Sequence, residues 1–212
     1  EYVPELTFLL FLKMMQETGR EDRIPNGYGW ESLARREGLE QLEYYRRLLL
    51  DLGDTKKTQD QTILAIFADA NTKLRKPANL KALTVAIDKL DWFSAREEGL
   101  GNLYEGLLEK NAAEKKSGAG QYFTPRPLID CLVRLTKPQP GEVIQDPAAG
   151  TGGFLVAADH SIKARTDDFF ELTESQAFFQ RHQAYTGAEL VPGAHRLCLM
   201  NLMLHGIECT VN

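Results

Sequence analysis

The sequence predicts an α/β fold in which a helical bundle precedes a parallel sheet with crossover helices. Apolar residues recur at helical spacing through the first half of the chain. Helix-like and strand-like segments then alternate, and a glycine-rich turn follows a short apolar strand at 146–155. A polar, glycine-containing stretch separates the halves, so we predict two domains, 1–114 and 115–212.

The first domain is predicted from its periodicity and its turn residues. Apolar residues lie three and four positions apart at 6–14, 42–52 and 63–74. Together with the intervening turns, these segments indicate a bundle of about five helices. Thr58 and Asn79 are the expected N-caps of two of them.

The second domain is predicted from the alternation of its segments. We expect helices at 125–136, 152–163 and 192–205, strands at 142–145 and 184–188, and the start of a third strand at 209–212. Residues 164–183 are predicted to form a helix that packs on the sheet edge. Strands that alternate with helices favour a parallel sheet.

Composition restricts the class of protein. The chain has 212 residues, of which 43% are hydrophobic, enough to bury a sizeable core. No segment approaches the roughly 20 apolar residues that span a bilayer, so we expect a soluble, cytoplasmic protein with no membrane partner. Three widely spaced cysteines and four scattered histidines favour neither a disulfide framework nor a metal site.

The net charge of −5 is unfavourable for a protein that holds DNA by itself. If DNA is the substrate, a local basic surface or a partner subunit has to contact its phosphates.

The glycine-rich turn carries the strongest chemical signal. Asp146 ends the predicted strand, and Gly150, Gly152 and Gly153 let the backbone turn tightly and let a ligand approach its amide groups. The helix that follows directs its N-terminal N–H groups into the same cleft, which suits a carboxylate. Asp146 is placed to attract an ammonium or a sulfonium, so a nucleotide-type cofactor is the leading prediction.

Glu189 follows the next predicted strand, where a carboxylate can accept hydrogen bonds from both hydroxyls of a ribose. The alternative is that it only caps the helix that begins near Pro192. A dinucleotide enzyme and a P-loop NTPase are disfavoured, because the turn lacks Gly-x-Gly-x-x-Gly and the chain lacks Gly-Lys-Ser/Thr.

Three motifs occur in a fixed order along the second half of the chain. The first is Gly-Gln-Tyr-Phe-Thr-Pro-Arg at 120–126, and the second is Asp-Pro-Ala-Ala-Gly-Thr-Gly-Gly-Phe-Leu at 146–155. The third is Gly-Ala-Glu at 187–189, which an apolar segment follows. Together they resemble the modification subunit of type I restriction-modification systems, an adenine-N6 DNA methyltransferase that uses S-adenosylmethionine. The resemblance implies a helical N-terminal domain followed by a Rossmann-like methyltransferase domain.

The resemblance also implies a set of cofactor-binding residues. One segment would line the methionine side of S-adenosylmethionine: Gln121, Tyr122, Phe123, Thr124, Pro125 and Arg126. In the glycine-rich turn, Thr151, Gly152 and Gly153 would contact its amino-acid part, and Glu189 would hold the ribose. Asp146, Ala148 and Gly150 complete the expected cofactor-binding set. Thr124 is also the expected cap of the helix that begins at Pro125.

The sequence departs from the family at one point. Family members carry Asn-Pro-Pro and an aromatic residue that hold the flipped adenine, and these 212 residues contain no Asn-Pro-Pro. We therefore assign no catalytic residue. We expect an incomplete methyltransferase sheet, with an unpaired strand edge and exposed apolar helix faces, and a chain inactive on its own.

The family implies DNA, a specificity subunit, a restriction subunit and a second modification subunit as partners. Two alternatives stay open: a non-catalytic module that binds a partner subunit, and a methyltransferase of similar fold that acts on another acceptor.

Overall fold

A computed structural model of the protein describes residues 3–92, 106 and 124–212, with side chains from residue 5. It divides into two compact units, Glu1–Leu100 and Gly101–Asn212. The predicted domain boundary near residue 114 lies outside the described residues and stays a prediction.

The first unit is helical, as predicted. Within 3–92 its α-helices are α1 (Val3–Glu17), α2 (Trp30–Ala34), α3 (Gly38–Leu52), α4 (Gln61–Phe67) and α5 (Pro77–Asp88). Their apolar faces meet in one core, in which Phe11, Tyr45 and Leu48 are almost completely buried. The rings of Phe8 and Phe67 stack there with centroids 5.3 Å apart, so α1 packs directly on α4.

Three local predictions in this unit are wrong. Helix α4 begins after Asp60, whose side chain accepts a hydrogen bond from the Ile63 N–H; Thr58 is instead buried and donates to the Asp51 carbonyl. The N-cap of α5 is Lys76, so Asn79 lies inside the helix. Helix α4 also ends at Phe67 and does not continue to residue 74.

The second unit has the predicted alternating order. Its elements are α6 (Arg126–Thr136), β1 (Ile144–Asp146), α7 (Gly153–Arg165), α8 (Glu174–His182), β2 (Tyr185–Gly187), α9 (Pro192–Leu204) and β3 (Thr210–Val211). The strands form a parallel sheet in the order β1-β2-β3, with Asp146 beside Gly187 and Gly187 beside Val211. The predicted fold class is confirmed in these elements.

Several boundaries here also differ from the prediction. Strand β1 extends to Asp146 and does not begin until Ile144, because pairing with β2 sets its limits. Pro125 is the N-cap residue of α6, so Thr124 does not cap it. The segment 164–183 is not one helix: α7 ends at Arg165, a left-handed turn lies at 167–169, and α8 follows from Glu174 to His182.

Apolar side chains on the outer face of α6 are exposed: Leu128, Leu132 and Leu135. Among the described strands, β1 pairs with β2 alone. The exposed leucines agree with the expected exposed apolar helix faces, and the pairing of β1 agrees with the expected unpaired strand edge.

None of the helices in the described ranges combines the length and the apolar character needed to cross a membrane.

Candidate functional site

The carboxyl ends of β1 and β2 lie side by side and bring the glycine-rich turn next to Glu189. The Ala188 N–H donates to the Asp146 carbonyl at 3.0 Å, and the Ala149 N–H donates to the Ala188 carbonyl at 2.9 Å. These bonds continue the β1–β2 pairing into the turn. Residues that the sequence placed in one site are therefore neighbours at one edge of the sheet.

The conformation of the turn explains its glycines. Gly152 has φ 82°, and a Cβ atom there would lie 3.0 Å from Cys198 Sγ and 3.4 Å from the Leu202 side chain. A side chain at Gly153 would meet Ile129 Cδ1 at 3.0 Å. Position 152 consequently needs glycine for its backbone angle and for the close approach of α9.

The N-cap residue of α7 is Gly152, which has no side chain to accept a hydrogen bond from the first N–H groups of the helix. Among the described residues the start of α7 has no side-chain cap. The first N–H groups of a helix have no partner within the helix, and the helix dipole is positive at this end. This end of α7 can therefore receive a carboxylate.

The two carboxylate oxygens of Asp146 differ in their hydrogen bonds. Its Oδ1 accepts a hydrogen bond from the Ala148 N–H at 3.1 Å. Its Oδ2 is buried and accepts no hydrogen bond from any described residue. A buried carboxylate oxygen without a donor is unfavourable by about 1–3 kcal/mol, so this position fits a cationic donor such as the ammonium of a cofactor.

Glu189 connects the turn to the start of α9. Its Oε2 accepts a hydrogen bond from the Gly150 N–H at 2.9 Å, and its Oε1 accepts one from the Val191 N–H at 2.8 Å. Val191 is the N-cap residue of α9, so the second bond has the local character of a cap. The bond to Gly150 spans 39 residues and is no part of a cap. Each oxygen keeps a second lone pair, which leaves room for two hydroxyl donors.

A groove of about 400 Å³ lies between α6 and α7. Three predicted site residues line it, namely Arg126, Thr151 and Gly153, whereas Asp146 and Glu189 do not. The predicted residues thus lie partly in the groove and partly at the sheet edge.

The other predicted site residues lie outside this groove or outside the described residues. Thr124 and Pro125 precede α6, and Ala148 is exposed within the turn. Gln121, Tyr122 and Phe123 lie outside the described residues.

Helix α9 supplies supporting residues that the sequence analysis missed. Cys198 lies beneath Gly152, and burial raises the pKa of its thiol, which stays neutral. Asn201 is fully buried, and its Nδ2 donates to the Thr151 carbonyl at 2.9 Å. The available signal was a single amide in the apolar stretch 197–204, because a polar residue on a buried helix face needs a partner.

Three of the four histidines contact one another or a carboxylate. His160 Nε2 lies 3.1 Å from His205 Nδ1, and His182 contacts Glu208 at 2.8 Å. Over the ranges that the structure describes, no three histidine, cysteine, aspartate or glutamate side chains group as metal ligands would.

Relatives of the chain are methylase subunits of type I restriction enzymes. It is 51% identical to the StySPI methylase subunit of Salmonella potsdam and 50% identical to the EcoKI methylase subunit of Escherichia coli K12. Each alignment covers 98% of this chain and 40% of the relative. The chain therefore spans 40% of the length of these two relatives.

Solved structures share the fold. A modification subunit from Vibrio vulnificus YJ016 aligns over the whole chain and half of its own length, with a TM-score of 0.74 at 22% identity. A chain from a structure on complex assembly and conformational transition of the type I restriction-modification system aligns with a TM-score of 0.73 at 29% identity. It is covered over 45% of its length.

The sequence profile of one family, N-6 DNA Methylase, matches residues 95–212. That range is more than half of the 212 residues. The chain therefore belongs to the N-6 DNA methylase family.

Proposed function

We propose that the protein is a methylase subunit of a type I restriction-modification system, which transfers a methyl group from S-adenosylmethionine to N6 of adenine in DNA. Membership of the N-6 DNA methylase family and about 50% identity to type I methylase subunits support this proposal. The observation that carries it is the edge where β1 and β2 end. There an uncapped helix start, a buried carboxylate oxygen without a donor and a second carboxylate meet.

Each group at this edge suits one part of the cofactor. The Asp146 Oδ2 atom would accept from the ammonium, the first N–H groups of α7 would receive the carboxylate, and Glu189 would accept from the ribose hydroxyls. The segment 121–126 would line the methionine side, with Arg126 in the groove beside Thr151 and Gly153. When bound, S-adenosylmethionine supplies a methyl group on a sulfonium, which an amine nitrogen can attack.

In the proposal these residues bind and orient the cofactor, and none of them transfers a proton. The 212 residues contain no Asn-Pro-Pro, so we assign the adenine-holding group to no residue of this chain. A net charge of −5 supports a division of labour in which specificity, restriction and second modification subunits contribute contacts to DNA.

Calorimetric titration with S-adenosylmethionine tests the proposal. We expect saturable one-to-one binding by the chain, no binding of NAD⁺ or ATP, and loss of binding in Glu189→Ala. Binding of ATP or NAD⁺ in preference to S-adenosylmethionine would overturn the cofactor assignment. Absence of binding to any of the three would favour the alternative, a module that binds a partner subunit.

A further inference from the structure

Helix α9 supports the glycine-rich turn through one face. Cys198, Asn201 and Leu202 lie three and four positions apart, which places them on the same side of the helix. Cys198 and Leu202 approach Gly152 so closely that a Cβ atom there would lie 3.0 and 3.4 Å from them. Asn201 adds the directional contact, since its Nδ2 donates to the Thr151 carbonyl at 2.9 Å.

We infer that Asn201 is a positioning residue, which fixes the peptide between Thr151 and Gly152 and thereby holds the turn ready for its ligand. The inference rests on the proposed function, because it assigns a role within the same cofactor site. It adds a residue that lies 50 positions from the turn and does not face the cleft.

The geometry at this peptide explains how one side chain can do this. A peptide unit is planar, so its orientation is set when both ends are bonded. The carbonyl end is held by Asn201, and the N–H end, from Gly152, donates to the Ala149 carbonyl at 2.7 Å. The dihedrals on either side of this peptide are ψ of Thr151 and φ of Gly152, and a glycine at 152 leaves its φ free to change, so these two bonds have to restrict the peptide.

The orientation matters for an anionic ligand. Asn201 is fully buried, so its bond directs the Thr151 carbonyl oxygen toward the interior. If this peptide rotated, the carbonyl oxygen would turn toward the uncapped start of α7. An oxygen with partial negative charge there would repel a carboxylate and compete for the helix N–H groups.

A purely structural role would not require an amide here. The neighbouring positions of α9 are buried and apolar, among them Leu199, Met200 and Met203. A leucine has the same number and branching of side-chain heavy atoms as asparagine and suits such a core. Burying an amide without a partner is unfavourable, so the hydrogen bond to the Thr151 carbonyl accounts for a polar side chain at this position.

The test compares Asn201→Leu with a control matched in burial. Thr166 is also buried, its hydroxyl donates to the Ile162 carbonyl at 2.9 Å, and it lies just beyond the opposite end of α7. Two quantities are measured on each protein: the Kd for S-adenosylmethionine by calorimetry, and amide hydrogen exchange at Gly152 without cofactor. Melting temperature and circular dichroism report folding, and Asn201→Ser serves if the leucine variant does not fold.

We expect Asn201→Leu to weaken cofactor binding at least about tenfold, which corresponds to about 1.4 kcal/mol. Exchange at Gly152, whose N–H donates to the Ala149 carbonyl, should be about tenfold faster, while Thr166→Val changes neither quantity more than about twofold. Equal affinity and equal exchange in Asn201→Leu and the wild type would overturn the inference. If the wild type binds no S-adenosylmethionine, the proposed function fails, and the exchange rates still decide whether Asn201 holds the turn.

Discussion

Two carboxylate groups, one in each unit, differ in how many hydrogen bonds they accept. Glu5 in α1 is 3% exposed and accepts from the Tyr45 hydroxyl at 3.2 Å, the Thr72 hydroxyl at 2.9 Å and the Lys73 N–H at 2.5 Å. Asp146 at the end of β1 accepts one hydrogen bond on Oδ1, and its buried Oδ2 accepts none from the described residues.

Under the proposed function, the difference separates a group that stabilises the fold from one that would bind a ligand. Glu5 joins α1, α3 and the segment before α5, so its acceptor capacity serves the helical unit itself. Burial and the nearby Glu5 raise the pKa of Tyr45, which keeps that hydroxyl a donor. Asp146 keeps acceptor capacity at a sheet edge where ligands of parallel α/β folds bind. Substitutions should therefore affect stability in one unit and affinity in the other.

The largest effect is expected at Glu5. Glu5→Ala leaves three donors without their acceptor, one of them the buried Tyr45 hydroxyl, and we expect the free energy of unfolding to fall by about 3 kcal/mol. Urea unfolding followed by circular dichroism measures it. Affinity for S-adenosylmethionine should stay within about twofold of the wild type under conditions where the variant is folded. A stability loss below about 1 kcal/mol would contradict the assigned role of Glu5.

The glycine-rich turn offers a matched pair of substitutions. Gly150 and Gly152 both have positive φ, 56° and 82°, but only a Cβ at Gly152 would meet neighbouring atoms. Both alanine variants carry backbone strain of about 1 kcal/mol, and Gly152→Ala should lose about 1 kcal/mol more through contact with Cys198. The melting temperature of Gly152→Ala should therefore be lower than that of Gly150→Ala. The reverse order would mean that the approach of α9 does not limit position 152.

Asp146→Asn should show the opposite profile to Glu5→Ala. The Asn side-chain oxygen can still accept from the Ala148 N–H, while the charge that would attract an ammonium is lost. We expect the Kd for S-adenosylmethionine to rise about tenfold and the free energy of unfolding to change by less than about 0.5 kcal/mol. Calorimetry and urea unfolding on the same preparation provide both values. A large loss of stability without a loss of affinity would assign Asp146 to the fold.

The smallest effect concerns His160, whose pKa burial lowers below its ordinary value near 6.5. The folded protein then keeps the ring neutral at a pH where the unfolded chain takes up a proton. Its contribution to stability is therefore complete above about pH 6.5 and is lost as the pH falls through the lower folded-state pKa. His160→Gln should make the melting temperature less dependent on pH in this acidic range. An unchanged dependence would exclude His160 as the titrating group.

Patterns confined to neighbouring residues made much of this architecture predictable. Apolar spacing identified α1 and α3, alternation identified the parallel sheet, and the glycine-rich turn identified the loop between β1 and α7. Helix starts were less predictable, because Thr58 bonds to the Asp51 carbonyl while Asp60 provides the cap of α4. Such a choice depends on tertiary packing, which a single sequence does not display.

The supporting groups of the site were not predictable for the same reason. Asn201 meets Thr151 across 50 residues, and the Glu189 bond to Gly150 crosses 39. Residue type and distance from a strand end indicated Glu189 as an acceptor. Its second role, as the acceptor that ties the turn to β2, required the folded geometry.

Amide chemical shifts during a titration with S-adenosylmethionine would test the central claim most directly. We predict saturable shifts at 121–126, in the turn at 146–155 and at residues 187–191, with the amides of α1 to α5 unchanged. In Asp146→Asn the same shifts should saturate at about tenfold higher ligand concentration. Shifts confined to the helical unit, or no saturable shifts at the ends of β1 and β2, would contradict the assignment of this edge as the cofactor site.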